Sequence, residues 1–343
     1  MTIYIIGYGI TGCYLSYKLN KLYPHERIIC IEKDTRYGGR IHTIYWNGYT
    51  IDLGAWRYSP VSHTHVQSLV SKYNISTVSI PNRSLDIPSI YVPNNISLGF
   101  VQYLISIDID PNAYVDAYGY NIYRDDISSQ LISYENTIDP NYVYMKHGYI
   151  SLMHSLIQDM NDNVHIYLGV SLLSISDGIL YLSNGKKIQS ETTYVTIPPN
   201  ALSQVYPTDI LSSMIGYSAI RIYLLIDKRI DPKMYITTYP LRKIYVLNTG
   251  IILIYTDAPD ARVVESLMKN SIDIVSHWLS SIFNTQVSIL KYTYQYWNNG
   301  IYFWRPVRTR NIGSYPFQYL SGDISSEPGW VDGSIKMIDS LYL

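Results

Sequence analysis

Three glycines, Gly7, Gly9 and Gly12, punctuate the opening stretch MTIYIIGYGITGCYLSYKL. A G-x-G-x-x-G spacing constrains little by itself; its surroundings constrain a good deal. Residues 2–6 form a β-branched and aromatic run that reads as a buried strand. Leu15, Leu19 and Leu22 then recur at helical spacing until Pro24 stops the pattern, and RIICIE reads as a second buried strand. Strand, glycine turn, helix and strand within about 30 residues make a βαβ unit. In such a unit Gly7 allows the tight turn, Gly9 lets backbone approach a pyrophosphate, and Gly12 lets the helix pack on the strand. Ile10 and Thr11 open that helix, whose unpaired N–H groups face the phosphates. Glu32, followed by Lys33, stands 20 residues beyond Gly12, where a carboxylate binds adenosine ribose hydroxyls and disfavours a 2′-phosphate. The competing reading, ordinary turn glycines and a solvated Glu32, leaves the coincidence of four positions unexplained.

The rest of the chain sets the limits. Its 343 residues, 47% hydrophobic and 15% charged, are enough for a large core and two domains. A net charge of -1 gives no overall pull toward nucleic acid or anionic lipid, so neither partner is expected. Cys13 and Cys30 are too few for a disulfide framework and predict a reducing compartment. The apolar start is too short for a membrane span and lacks a basic leader, which predicts a cytoplasmic protein. The sequons at Asn74, Asn82 and Asn95 are then incidental. His63, His65, His147 and His154 have no nearby acids or cysteines at metal-ligand spacing, so no metal is expected. Neither a G-x-S-x-G nor a P-loop occurs.

Farther along, NVHIYLGVSLLSISDGILYLSNGKKI alternates β runs with SDG and SNG turns, a hairpin series, and ETTYVTIPP reads as one more strand. Residues 61–145 are rich in Pro, Asn and Ser. Residues 201–305 mix strands such as RIYLLI and GIILIY with a helix over VVESLMKNSIDIVSHWLSSIF. The expected architecture is α/β with an α+β second domain. A discontinuous nucleotide domain, residues 1–60, 146–200 and 306–343, is interrupted by a smaller domain of mixed sheet plus helices at 61–145 and 201–305.

Directly after the βαβ unit, EKDTRYGGRIHT resembles the flavin-containing amine oxidase superfamily, in which a GGR segment follows the ribose-binding acid. The closing YLSGDISSEPGWVDGSIKMI is similar to that family's last strand, turn and helix, and KHGYISLMHSL followed by VHIYLGV to its middle block, with His147 in place of a glycine. The resemblance implies a Rossmann-like FAD-binding domain. Gly38 and Gly39 would bring backbone to the FAD, and Arg40 would reach its phosphates, a task suited to a planar cation. Val170 would lie against adenine, and Gly54, Ala55, Trp56 and Arg57 along the cofactor. Gly322 and Asp323 would contact the ribityl phosphate, with Trp330, Val331 and Ser334 beside the flavin. A helix N-terminus there favours the charge of reduced flavin.

Within the superfamily, DLGAWRYSPVSHTHVQSLVSKYNI, GIILIYTDAPDARVVESL and GWVDGSIK resemble the L-amino-acid oxidases. This implies that Arg57 and Tyr255 hold a substrate carboxylate, with Gly329 and Trp330 as neighbours and Tyr302 as a second aromatic wall. It implies oxidation of an L-amino acid by hydride transfer from the alpha carbon, giving an imino acid, then a 2-oxo acid and ammonia. Oxygen, or another electron acceptor, takes up the electrons. Arg221, in YSAIRIYLLID, occupies the position where such oxidases commonly carry a lysine near the flavin. Arginine keeps the charge but is not readily deprotonated; as an edge-strand surface residue it would have no such role. Ile301 stands where some relatives attach FAD through cysteine, so the FAD is expected to be non-covalent. An amine or polyamine oxidase, a flavin dehydrogenase and an inactive flavin-fold binding protein are the alternatives, and a homodimer is admitted.

Overall fold

The computed structural model describes residues 2–80, 142–189, 192–237, 240–304 and 315–341. Asn82, Asn95 and most of 61–145 lie outside them. The chain divides into two compact units, residues 1–77, 144–215 and 308–343, and residues 78–143 and 216–307.

The first unit is built on a five-stranded parallel sheet. β1 (Thr2–Ile6) pairs with β2 (Arg27–Ile31), joined by α1 (Ile10–Leu22). β2 continues to β8 (Val164–Tyr167), and β1 on its other side to β12 (Thr193–Val195) and β18 (Gln318–Tyr319). Ile3, Ile5, Ile28 and Cys30 are all buried; strands covered on both faces read as continuous apolar runs, as these do. α3 (Ile150–Gln158) and α8 (Val331–Asp339) both pack on α1.

Two smaller elements belong to this unit. β3 (Thr43–Trp46) and β4 (Tyr49–Asp52) form a hairpin, while β9 (Leu172–Ser176), β10 (Ile179–Leu182) and β11 (Lys187–Gln189) form an antiparallel meander. The β9–β10 turn places Asp177 at φ 52° and Gly178 at φ 73°, the paired positive angles of a type I′ hairpin. The expected hairpin series therefore starts only at Leu172. VHIY belongs to the parallel sheet, because its carbonyls and N–H groups are spent on β2.

Short strands β5 (Arg57–Tyr58), β6 (Thr77–Ser79) and β7 (Val143–Met145) complete the set before β8. α2 (Thr64–Lys72) also lies in the first unit, although the sequence placed the domain change at residue 61. The physical tie is a cap from α8: Asp332 Oδ1 accepts the Val66 N–H at 2.7 Å. α4 (Pro199–Val205) and α5 (Ile210–Ser213) likewise fall on the first unit's side of the change, at 215 instead of 200.

The second unit is an antiparallel sheet in the order β14 (Lys233–Ile236), β15 (Lys243–Val246), β16 (Ile252–Asp257), β13 (Met214–Ile226) and β17 (Ile289–Trp304). α6 (Ala258–Asn270) and α7 (Asp273–Phe283) cover one face. Ile220, Ile222, Ile244 and Ile254 meet Val264 and Leu279 there in a buried core. A single helix was expected over this stretch. Instead Ser271 breaks it, and its Oγ accepts the Asp273 N–H at 3.0 Å to restart the chain as α7. Among the described residues no helix is long and apolar enough to cross a membrane.

Candidate functional site

The glycine loop is as closely fitted as its spacing suggests. A Cβ on Gly12 would sit 2.1 Å from the Gly7 carbonyl oxygen, so only glycine lets α1 start against the end of β1. α1 has no side-chain cap at Gly9 and no acid in its first turn, which leaves the positive end of the helix available to an anion. Glu32 is buried beside it, its Oε2 accepting the Tyr8 N–H at 2.8 Å and its Oε1 the Asp34 N–H at 3.0 Å. Each carboxylate oxygen retains acceptor capacity for a ribose hydroxyl. Val170 donates its N–H to the Glu32 carbonyl at 3.0 Å, which brings Val170 beside Glu32. Lys33 is exposed.

The GGR turn lies against this loop. Gly38 bridges Gly9 and donates its N–H to the Tyr8 carbonyl at 2.9 Å. Arg36, which the sequence reading passed over, braces the turn by donating to the Gly39 carbonyl at 2.8 Å and the Ile41 carbonyl at 3.0 Å. Ala55 donates to the Arg40 carbonyl at 2.9 Å, and Gly54 leaves no room for a side chain over the same oxygen. Gly322 packs on Ser334, its Cβ position 2.1 Å from the hydroxyl and 3.6 Å from Thr11 Oγ1, so the last helix and the first share this corner.

Two of the expected cofactor positions have side-chain partners within the protein. Arg40 and Asp323 were expected to reach the cofactor separately, but the two side chains hold each other in a bidentate pair of 2.7 and 2.8 Å. Ser321 Oγ adds a third bond to the same carboxylate. The Asp323 side chain is therefore an anchor for Arg40, whose side chain stays about one-third exposed. Trp56 is buried and stacked on Tyr144, with centroids 5.7 Å apart, so its ring serves packing.

Asp52 was not found from the sequence. Its carboxylate accepts the Tyr149 N–H at 3.0 Å and also a hydrogen bond from Thr43 Oγ1, while Thr43 Oγ1 accepts the Ile150 N–H at 3.2 Å. Together they cap α3. The two partners are 97 residues apart, and no local pattern signals such a cap.

At the end of the first unit, Arg57 and Trp330 come together: the guanidinium carbon lies 5.9 Å from the indole centroid. Gly329, with φ 87°, turns the chain into Trp330, and Val331 begins α8 half-buried. His63, also missed, lies against the same indole at 4.4 Å.

In the second unit, Arg221 sits directly across from Tyr255 in the β13–β16 ladder, its guanidinium carbon 4.6 Å from the phenol centroid. β13 lies between β16 and β17, so the edge-strand reading of Arg221 is wrong. Lys243, on β15, pairs with the other side of Tyr255, its ammonium 5.5 Å from the ring. No local pattern in the sequence marks this lysine. These three side chains share the sheet face opposite the one that α6 and α7 cover, since Ile220, Ile222, Ile244 and Ile254 alternate with them. Tyr302 is buried on β17, its ring 3.0 Å from the Cβ position of Gly216.

Cys13 and Cys30 are both buried, and burial pushes the Cys13 thiol up to about 12 and that of Cys30 higher still. Neither is a reactive thiolate. Among the described residues no group of three or more His, Cys, Asp or Glu could hold a metal ion.

Fold and loop define a dinucleotide-binding Rossmann-like domain joined to an antiparallel-sheet unit. The model of the NAD(P)-binding Rossmann-like domain family matches residues 5–73. An uncharacterized protein of Acanthamoeba polyphaga mimivirus is 20% identical, the match covering 99% of this chain and 93% of that protein. Among solved structures, a candidate protoporphyrinogen oxidase from Exiguobacterium sp. 255-15 superposes with a TM-score of 0.69 at 15% identity, covering 99% of this chain and 98% of that one. This protein has that fold.

Proposed function

We propose that the protein is an FAD-dependent oxidoreductase that oxidises a primary amine, an L-amino acid before other amines. The FAD would be held non-covalently by the α1 N-terminus, Glu32 and the GGR turn. Their fit rests on the uncapped helix start, the Gly12 contact that admits no Cβ, and the carboxylate turned to backbone N–H groups at the ribose position. Bound there, FAD supplies the two-electron acceptor that amine oxidation needs.

The observation that carries the substrate assignment is the Arg57–Trp330 pair. The Arg57 guanidinium lies 5.9 Å from the indole centroid; a guanidinium is the cation that pairs bidentately with a carboxylate, and the indole would give an apolar wall beside it. Such a pair binds and orients; orientation supplies much of the rate where no protein nucleophile is required. Arg221 occupies the position where, on the resemblance, such oxidases commonly carry a lysine, and a residue that does not readily deprotonate favours a second reading, a dehydrogenase with an acceptor other than oxygen.

The test is flavin reduction. The FAD-loaded protein is mixed without oxygen with amino acids, simple amines and protoporphyrinogen, the substrate named for the Exiguobacterium protein. Bleaching by amino acids first is the expected result, and bleaching by protoporphyrinogen alone overturns the amine reading. Admitting air then separates oxidase from dehydrogenase by peroxide formation.

A further inference from the structure

One buried titratable side chain beside Arg57 and Trp330 has no part in that reading. His63 is 2% exposed, precedes α2, and lies with its ring centroid 4.4 Å from that of Trp330 at an angle of 48°. Its Nδ1 accepts the Ser59 N–H at 3.0 Å. A ring nitrogen that accepts carries no proton, so the imidazole is neutral with its hydrogen on Nε2.

The turn locks this state. His63 donates its own N–H to the Ser59 carbonyl at 2.9 Å, and Ser62 donates its N–H to Ser59 Oγ at 3.1 Å. The charged neighbours agree with it. Arg57 repels a proton on the ring and burial opposes one more strongly, which together hold the imidazole down at about 3. On α8, Asp332 is directed to the Val66 N–H, and Asp339 pairs with His65.

We propose that His63 is a positioning residue for the carboxylate site. As a neutral wedge it fixes the Trp330 ring beneath the Arg57 guanidinium and adds no charge to Arg57's own. Its consequence for substrate rests on the Arg57 reading above; its geometry does not. A neutral wedge leaves the positive potential at Arg57 constant over the range in which an ordinary histidine titrates. Carboxylate affinity is then flat where a protonating His63 would strengthen it on acidification.

Two substitutions separate the wedge's parts. His63→Asn places Oδ1 where Nδ1 accepts the Ser59 N–H but removes the ring. His63→Phe keeps a ring against Trp330 but deletes the acceptor. Benzoate, a carboxylate with no amine to oxidise, is titrated into the FAD-loaded protein and followed by flavin absorbance. The wild-type dissociation constant should stay flat between about pH 5 and pH 8. Loss of an aromatic contact should raise it about tenfold in His63→Asn, with FAD affinity unchanged, and less in His63→Phe.

In parallel, nitrogen NMR of the histidine ring in the FAD-free wild type should show an unprotonated Nδ1 that does not titrate over the same range. A titrating ring, or folded and FAD-loaded His63→Asn that binds benzoate like wild type, overturns the proposal. FAD-loaded wild type that binds no benzoate overturns the Arg57 reading and the positioning role with it; the NMR result still decides separately whether the ring is the neutral wedge.

Discussion

Arg40 and Asp323 grip each other through two parallel hydrogen bonds of 2.7 and 2.8 Å across 283 residues of sequence. The pair fastens the GGR turn to the turn before the last helix. Asp323 is 1% exposed, so this partner stands where water would otherwise solvate its carboxylate.

Removing the cation should therefore cost more than removing the anion. Arg40→Met leaves a buried carboxylate without its bidentate partner, a loss of about 3 kcal/mol, whereas Asp323→Asn leaves Arg40 partly solvated at about 1.5 kcal/mol. Denaturant melts of both variants check the order. Added FAD should restore less stability to Arg40→Met than to wild type if the exposed part of the Arg40 side chain meets the cofactor.

Gly12 admits no side chain, because its Cβ position is 2.1 Å from the Gly7 carbonyl oxygen. Gly12→Ala must push α1 away from β1, and the helix N-terminus moves with it. A displacement of this kind should weaken FAD binding at least about tenfold, since the N–H groups no longer converge on the phosphates. Flavin fluorescence titration measures the change, and wild-type affinity in the folded variant would count against the loop as the phosphate site.

These features differ in how far they could be read in advance. The glycine loop and Glu32 lie within one short stretch, where strand and helix periodicity and spacing act together; the GGR turn after them was legible only through the resemblance, and the structure brings all three side by side. Arg57 and Trp330 were each singled out only by the resemblance, and their contact was not legible at all, since it joins β5 to the start of α8. Asp52 capping α3, Asp332 capping α2 and Lys243 beside Tyr255 are side chains whose partners are set by tertiary packing or by strand register. A carboxylate that caps a helix 97 residues away has the same local sequence as one that faces water. The break at Ser271 was hidden for another reason: apolar spacing carries across the junction, and only the serine cap divides α6 from α7.

Arg57→Ala should separate carboxylate recognition from amine chemistry. Charge-assisted hydrogen bonds contribute about 1.5–3 kcal/mol, so amino-acid binding should weaken roughly ten- to a hundredfold. A simple amine, with no carboxylate to lose, should be affected little. Flavin-reduction kinetics on one amino acid and its decarboxylated amine make the comparison. Equal loss on both would assign Arg57 to the scaffold.

Acid should destabilise the first unit through His63. Its folded value is lowered from 6.5 to about 3 by burial and Arg57, so between these limits the unfolded chain binds a proton that the folded one refuses. Stability is full above about pH 6.5 and falls with acidification by up to about 1.4 kcal/mol per pH unit, until the folded ring also protonates near pH 3. Asp332 works in the opposite sense. Burial raises its carboxyl above the ordinary 3.8, so the folded state gains the proton first and this group's contribution improves as pH falls through its raised value. The two overlap where Asp332 titrates, above its ordinary 3.8, and there the slope should be shallower than that of His63 alone. Urea melts of wild type and His63→Asn between about pH 4 and pH 7 resolve the terms: the variant should lose the histidine slope and keep the Asp332 one. Parallel pH dependences in the two proteins would mean that His63 already titrates in the fold as it does in the unfolded chain.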